Sequence, residues 1–368
     1  MATLPLFKVH MPKTVMEPLE KVLMSGYIGQ GPKVEEFERA LVPLVGSPNC
    51  LTMNSGTSAL HLAMRLAGVE AGSEVITSPM TCTATNEPIL ERGGKIVWGD
   101  IDPWTGNIDP LDVERKINSK TKAIMAVHWG GYPCEIDELL RIARKYNVAL
   151  IEDAAHAFGA TYKGRQIGSS SAYVCFSFQA IKHLTTVDGG LLVCPTMDDY
   201  RRGKLLRWYG IDRETPRKDL RCEEDVKEFG YKFHMNDVCA VIGLEQLKYV
   251  KEVVEKHRAN AKYYDGIVPS LKKTKMLRYQ DDRLSSYWLY TVRVQNREGF
   301  QEFMKKKDIM VSQVHVRNDV HTAFKEFRRN LPGVDEFTRE QVSIPVGWWL
   351  TEEDRKNVIA ALSEWDTK

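Results

Sequence analysis

Three polar elements, widely separated along the chain, carry side chains suited to one kind of chemistry. Lys182 stands in an apolar and hydroxyl-rich run at 176–186, and Asp153 follows an apolar run upstream of it. A Ser-Gly-Thr-Ser turn occupies residues 55–58. An amine for an aldehyde, a carboxylate for a ring nitrogen and a helix start for a phosphate are together the parts of a pyridoxal 5′-phosphate site.

Lys182 has the least ordinary surroundings of the three. It lies between Ile181 and a His-Leu-Thr-Thr run, which predicts a partly buried side chain. Burial lowers the pKa of a lysine and leaves a neutral amine for imine formation. Ser177, shortly before it, offers a hydroxyl for the phosphate. The alternative is a surface lysine whose stem covers apolar neighbours.

The turn at 55–58 has the composition of an anion site at the start of a helix. Gly56 permits a tight turn, the free backbone N–H groups favour an anion, and Thr57 and Ser58 add hydroxyl donors. The alternative is a simple helix cap made by Ser55 or Thr57. The sequence contains neither a P-loop nor a strand-linked dinucleotide motif.

Asp153 and His156 form the third element. Asp153 comes directly after a predicted buried strand, where ligands gather in open α/β sheets, and a carboxylate there keeps a pyridine nitrogen protonated. His156 lies about one helical turn further on and is placed to reach the ring or its phenolic oxygen. The alternatives are a carboxylate that caps the next helix and a histidine satisfied in the core.

Short apolar runs that alternate with helical patterns must position these residues. They predict a mostly parallel sheet covered on both faces, and a returning strand at 189–194. A helix with one apolar face is predicted at 136–146. The predicted strands of the sheet are 74–79, 95–100, 123–128, 148–152 and 172–176.

A chain of 368 residues favours two domains. We expect a large cofactor-binding domain at 1–245 and, at 246–368, a linking helix with a smaller α/β domain. The linking helix is predicted as one long element from Asn236 to about Asp265. The predicted elements of the small domain are a strand at 288–294, a helix near 299–307, a strand near 309–311 and a last helix at 352–365.

Composition excludes several classes of partner. A formal net charge of +2 argues against nucleic acid. Seven cysteines without a Cys-x-x-Cys pair argue against a zinc site or a disulfide framework, so no metal is expected. We see neither a secretory signal nor an apolar run of bilayer length, and therefore expect a cytoplasmic protein without membrane contact.

The order of motifs resembles the DegT/StrS-type nucleotide-sugar aminotransferases over nearly the whole chain. The turn at 54–60, the Glu-Asp-Ala-Ala-His-Ala run at 152–157 and the Ser-Phe pair before Lys182 carry most of the resemblance. Further matches are the opening motif at 26–32 with Tyr27, Phe37-Glu38, Gly189-Gly190, Met235-Asn236, Ala240–Gly243, Leu350–Asp354 and Val358-Ile359.

The resemblance implies a fold type I aminotransferase and a homodimer with active sites at the interface. It implies transfer of an amino group, from L-glutamate, to a keto sugar linked to a nucleotide diphosphate. It implies that Lys182 forms the imine with the cofactor and moves the α-proton. Asp153 is expected to pair with the ring nitrogen, and His156 to contact the side of the ring that carries the hydroxyl. The resemblance also implies that Thr57, Ser58 and Ser177 bind the phosphate, together with the turn at Gly56.

Three positions depart from the pattern of many relatives. Cys82 stands where an aromatic residue stacks on the cofactor ring, and Lys232 where an asparagine reaches the partner subunit's phosphate. A full positive charge at position 232 suits the same phosphate. Residues 207–210 read Arg-Trp-Tyr-Gly in place of Arg-Asn-His-Gly, in a region expected near the sugar.

Substrate preference rests on the segments 80–86, 230–235 and 311–322. They look like the C4-aminating branch, the viosamine and perosamine type, which acts on 4-keto-6-deoxyhexoses. Tyr27, His315 and Arg317 are the expected substrate contacts. The alternatives are C3 amination of a 3-keto sugar and a regulator that retains the fold, although the retained Lys182 favours an enzyme. The basic residues between 201 and 221 suggest a solvated surface or, alternatively, a pyrophosphate contact.

Overall fold

The strands of the chain are short and form three sheets in the computed structural model, which describes residues 3–215, 219 and 225–368. Their bounds are β1 Cys50–Met53, β2 Glu74–Thr77, β3 Lys95–Trp98, β4 Thr121–Val127, β5 Ala149–Asp153, β6 Thr161–Tyr162, β7 Arg165–Gln166, β8 Tyr173–Ser177, β9 Gly190–Val193, β10 Thr274–Met276, β11 Arg283–Leu284, β12 Tyr290–Val294 and β13 Gln341–Ile344.

The largest sheet has seven strands in the order β1-β9-β8-β5-β4-β2-β3. The strands from β8 to β3 in that order are parallel to one another. β9 returns antiparallel between β8 and β1. The predicted parallel sheet and its returning strand are thus confirmed, and the buried strands explain the near-continuous apolar runs.

Helices cover both faces of this sheet. The α-helices of the described chain, including those that pack elsewhere, are α1 Met16–Met24, α2 Pro32–Val45, α3 Gly56–Leu66, α4 Thr83–Glu91, α5 Pro110–Lys116, α6 Ile136–Tyr146, α7 Met197–Leu206, α8 Asp237–Leu247, α9 Val250–Asp265, α10 Arg297–Lys306, α11 Pro332–Glu340 and α12 Glu352–Thr367. The predicted apolar face of α6 is buried, with Leu139 fully enclosed. Two large apolar clusters pack against the sheet, one on α2 and α6 and the other on α3.

A further apolar cluster packs on the antiparallel sheet β10-β12-β13 with residues of α9, α10 and α12, in the part of the chain predicted as the small domain. Two predictions here are wrong. The long helix at 236–265 is two helices, α8 and α9, because the chain turns at Lys248 and Tyr249. Residues 309–311 form no strand and make only a single bridge, between Ile309 and Leu4.

The carboxyl ends of β5 and β8 lie side by side, since Asp153 pairs in register with Cys175. These two ends carry Asp153 and Ser177, so the sheet brings both predicted residues to one edge. In the part of the chain that the structure describes, no helix is long and apolar enough to cross a membrane.

Candidate active site

Lys182 lies in the turn that follows β8, with its amine against an aromatic ring. Its Nζ atom is 3.5 Å from the centroid of the Trp288 ring. Burial lowers the pKa of this amine from its ordinary value of 10.5 to about 7, although Asp153 and Cys82 act in the opposite direction. About half of the amine is therefore neutral at pH 7, as bond formation with an aldehyde requires.

Asp153 ends β5 and is held by two hydrogen bonds. Its Oδ2 atom accepts from the Thr85 hydroxyl at 2.7 Å, and its Oδ1 atom accepts from the Ala155 N–H at 3.0 Å. Thr85 is in turn hydrogen-bonded to Thr81 at 2.7 Å. Residues 154–160 form turns and no helix, so the carboxylate does not serve as the cap of a following helix. It is 4% exposed, which suits pairing with a buried ring nitrogen.

The turn before α3 is the one predicted to hold a phosphate, and its side chains are hydrogen-bonded to one another. The Ser55 side chain caps the helix by accepting from the Ser58 N–H at 3.0 Å, and the Ser58 hydroxyl donates to Asn54 Oδ1 at 2.6 Å. The N–H groups at the first turn of a helix have no partner within the helix and favour an anion. The predicted cap is therefore present and is compatible with phosphate binding.

Two glycines bring this helix start against the sheet. A Cβ on Gly56 would lie 2.9 Å from the Cβ of Ser177, and a Cβ on Gly190 would lie 2.4 Å from the carbonyl oxygen of Ser55. Neither approach tolerates a side chain. Ser177 thus reaches the mouth of the turn because Gly56 lacks a Cβ, which fits a phosphate shared by the two elements.

Three aromatic rings line the other side of Lys182. His156 stacks on Trp288 at 3.9 Å between centroids and 18° between planes. His315 lies parallel to His156 at 5.5 Å and 4°. Trp288 comes from the segment that leads into β12, and no motif in the sequence indicates that it contacts Lys182. The sequence presents it only as the start of a strand.

Each of these two histidines has one ring nitrogen without a hydrogen-bond partner in the part of the chain that the structure describes. His156 Nδ1 and His315 Nε2 are buried without a hydrogen-bond partner among the described residues. Burial lowers the pKa of His156 well below its ordinary value, and Lys182 adds to the effect. Burial likewise lowers the pKa of His315 to about 4. Both rings are therefore neutral at pH 7, and each offers a nitrogen to a ligand.

Arg317 sits close to His315 in sequence, but its charge is already matched. Its guanidinium binds both carboxylate oxygens of Asp319, at 2.6 and 2.7 Å, and also pairs with Asp335. Asn318 between them donates to the Thr81 carbonyl at 2.8 Å and accepts from Asn86 at 2.7 Å. These contacts fasten the loop that carries His315 to the Thr81–Thr85 segment beside Asp153.

Cys82 and Lys232 lie close to the cofactor elements. Cys82 is exposed at the residue before α4 and is near enough to influence the Lys182 amine. Lys232 is exposed, and its carbonyl accepts from the Asn54 side chain at 3.1 Å. The strand-like segment at 232–234 thus runs beside the phosphate turn of the same chain.

Tyr27 is placed elsewhere. It is 74% exposed and lines a separate surface cavity of about 630 Å³ together with Val22 and Val241. Within the described chain, that cavity does not include Lys182 or Asp153.

Most of the basic residues that the structure describes between 201 and 221 are engaged with carboxylates. Arg202 binds Glu228, Lys204 binds Glu214, and the buried Arg207 binds Glu38. The pairs of Arg202 and Lys204 favour the solvated-surface interpretation, whereas Arg207 is buried and its charge is matched inside the fold. Arg217, Lys218 and Arg221 lie outside the described residues.

Among residues 3–215, 219 and 225–368, no group of three His, Cys, Asp or Glu side chains is arranged to hold a metal ion.

Comparison with known proteins agrees with this geometry. The sequence pattern of the DegT/DnrJ/EryC1/StrS aminotransferase family matches residues 10–363, and the chain belongs to that family. A Campylobacter jejuni relative, the UDP-4-amino-4,6-dideoxy-N-acetyl-beta-L-altrosamine transaminase, is 32% identical over 93% of this chain and 92% of its own length.

Two solved structures are similar over almost their full lengths. AtS13 from Actinomadura melliaura is 43% identical, with a TM-score of 0.96 and 99% of each chain covered. The sugar aminotransferase CalS13 from Micromonospora echinospora is 39% identical, with a TM-score of 0.94 over 98% of this chain and 99% of its own. The chain is a pyridoxal-phosphate-dependent nucleotide-sugar aminotransferase of the fold that the sequence predicts.

Proposed function

We propose that this enzyme transfers an amino group from L-glutamate to C4 of a nucleotide-diphosphate-linked 4-keto-6-deoxyhexose. The observation that carries the proposal is the convergence of Lys182, Asp153 and two neutral histidines at one edge of the sheet. The Campylobacter relative is named for a 4-amino-4,6-dideoxy sugar, which supports the position of amination.

The residues divide the work by their geometry. Lys182 would hold the cofactor through its buried amine, and the same amine would move the α-proton of the donor. Bound pyridoxal phosphate supplies an electron sink for the negative charge that develops when that proton leaves. Asp153, oriented by Thr85, keeps a proton on the ring nitrogen, and His156 offers Nδ1 to the ring hydroxyl.

The phosphate is assigned to the cradle before α3. The backbone of Gly56 and the hydroxyls of Thr57 and Ser177 are at its mouth, while Ser58 completes the turn through Asn54. Lys232 would add a positive charge from the neighbouring subunit of a homodimer, which its exposed side chain permits.

The sugar side is assigned to the loop that carries His315. Its unpartnered Nε2 is a suitable contact for a hydroxyl or keto oxygen of the hexose. Arg317, paired with two carboxylates, orders this loop in our proposal, and Tyr27 contacts substrate only through an assembly with a second subunit. Cys82 lies beside the ring in the place of an aromatic residue and leaves that face less covered.

Product analysis tests the assignment. The enzyme is incubated with glutamate and with thymidine, guanosine or uridine diphosphate 4-keto-6-deoxyhexoses, and with a 3-keto sugar nucleotide for comparison. We expect a 4-amino-4,6-dideoxy product. A 3-amino product, or no turnover of any 4-keto sugar, would contradict C4 amination and leave the family assignment intact.

A further inference from the structure

Trp288 makes two separate contacts with the catalytic turn. Its Nε1–H donates to the carbonyl oxygen of Ile181 at 3.0 Å, and Ile181 immediately precedes Lys182. Its ring face lies 3.5 Å from the Lys182 amine. The side chain is 4% exposed. One indole therefore touches both the backbone and the reactive nitrogen of the same turn.

The indole is itself fixed on the remaining sides. Phe7 stacks on it at 5.0 Å and 24°, and His156 stacks on it at 3.9 Å. Trp288 and Leu289 pack in the apolar cluster beside α3, although the strand they lead into, β12, packs in the cluster of α9, α10 and α12. The ring next to Lys182 is thus held on several sides.

We propose that Trp288 is a positioning residue for Lys182, holding its backbone through the indole N–H and shielding its amine with the ring face. The shielding follows from geometry, because water cannot occupy the volume of a ring 3.5 Å from the amine. An aromatic face also attracts an ammonium ion, so the ring holds the amine in place when it is charged. This inference rests on the proposed role of Lys182 in the reaction.

The indole of Trp288 does not titrate at ordinary pH, so it is not among the titratable groups near the amine. Those that act on Lys182, or on which it acts, are Asp153 at the end of β5, Cys82 before α4, His156, His315 and the adjacent His183. Substitutions at position 288 change none of these groups chemically, and only His156 and His315 among them lose a stacking partner.

The two contacts can be separated by substitution. Trp288→Phe keeps an aromatic face and removes the bond to the Ile181 carbonyl, whereas Trp288→Ala removes both. Trp348→Phe is a matched control, because Trp348 Nε1 donates to the Lys8 carbonyl at 3.2 Å and makes no contact with the catalytic turn. Thermal unfolding of all three variants reports whether they fold.

The first measurement is the pH dependence of Lys182 labelling by trinitrobenzenesulfonate in the full-length, cofactor-free protein, followed by peptide mapping. Burial shifts lysine pKa values by up to about 3–5 units, so opening one wall in Trp288→Ala should raise the midpoint by about one unit or more. Trp288→Phe and Trp348→Phe should keep the midpoint of the unmodified protein.

The second measurement is kcat of the holoenzyme. Loss of one hydrogen bond corresponds to a fall of about two- to tenfold in Trp288→Phe, with the KM for the sugar unchanged and Trp348→Phe unaffected. The proposal is overturned by a kcat of Trp288→Phe equal to that of Trp348→Phe, or by an unchanged labelling midpoint in a folded Trp288→Ala. Cofactor attachment to a different lysine in the unmodified enzyme would instead refute the proposed role of Lys182.

Discussion

Replacing Gly56 with alanine perturbs the phosphate cradle at a single atom. The new Cβ would meet the Ser177 Cβ at 2.9 Å, well inside the optimal carbon–carbon separation of about 3.5–4.0 Å. The neighbouring atoms on that side are the backbone and short side chain of Ser177 at the end of β8, which have little freedom to move. The start of α3 and Ser177 must therefore separate.

The size of the effect follows from two opposing contributions. Overpacking of this kind costs about 1–3 kcal/mol. The reduced freedom of the unfolded chain returns about 0.4–1 kcal/mol for a glycine-to-alanine change. The net loss of about 1–2 kcal/mol corresponds to a factor of about 5–30 in the folding equilibrium constant. Because the displaced atoms belong to the cradle itself, we also expect a weaker affinity for pyridoxal phosphate.

The assay is a titration of the cofactor-free variant with pyridoxal phosphate, followed by absorbance, alongside thermal unfolding with and without cofactor. Gly29→Ala is the matched control, because a Cβ there meets nothing within 4 Å. Wild-type affinity in Gly56→Ala, with Gly29→Ala also unchanged, would show that the close approach of Gly56 and Ser177 does not shape the phosphate site.

Three further predictions concern the groups around the cofactor. Thr85→Val removes the 2.7 Å bond to Asp153 with little change of shape and should lower kcat by about tenfold; an unchanged kcat would contradict the orienting role of Thr85. The folded pKa of Lys182, about 7, lies below the ordinary 10.5, so the unfolded chain binds more protons between these values. Urea unfolding of the cofactor-free protein should therefore show stability rising from about pH 7 to 10.5, and Lys182→Met should remove this component; an identical pH profile in both proteins would refute it. Asn318→Ala frees the His315 loop from Thr81 and Asn86, and should raise the KM for the sugar nucleotide while leaving the half-reaction with glutamate unchanged; slowing of the glutamate half-reaction alone would contradict this.

The seven-stranded sheet was predictable because parallel strands leave a strong signature. Buried runs such as 148–152 and their alternation with helices define the sheet, and its carboxyl edge then locates Asp153. The helix start at Ser55 and Gly56 was also predictable, because serine before glycine and an apolar run is typical of a helix cap.

Contacts between distant segments were not predictable. Trp288 donates to Ile181 across 107 residues of sequence, and Asn318 donates to Thr81 across 237, so no local pattern indicates either contact. The apolar stripe of 236–265 continues through the turn at Lys248, so periodicity alone joined α8 and α9. Arg317 was predicted to contact substrate from its place in a motif. The motif does not reveal that two carboxylates, Asp319 and Asp335, already bind its charge.

The most direct test is to locate the covalent link between protein and cofactor. The holoenzyme is reduced with borohydride, digested and mapped by mass spectrometry, with Lys182→Ala treated in parallel. We predict a phosphopyridoxyl group on Lys182 alone, and loss of both the visible absorbance and the activity in Lys182→Ala. A modified lysine elsewhere in the chain, or a Lys182→Ala protein that keeps its absorbance and activity, would contradict the assignment of Lys182 as the catalytic residue.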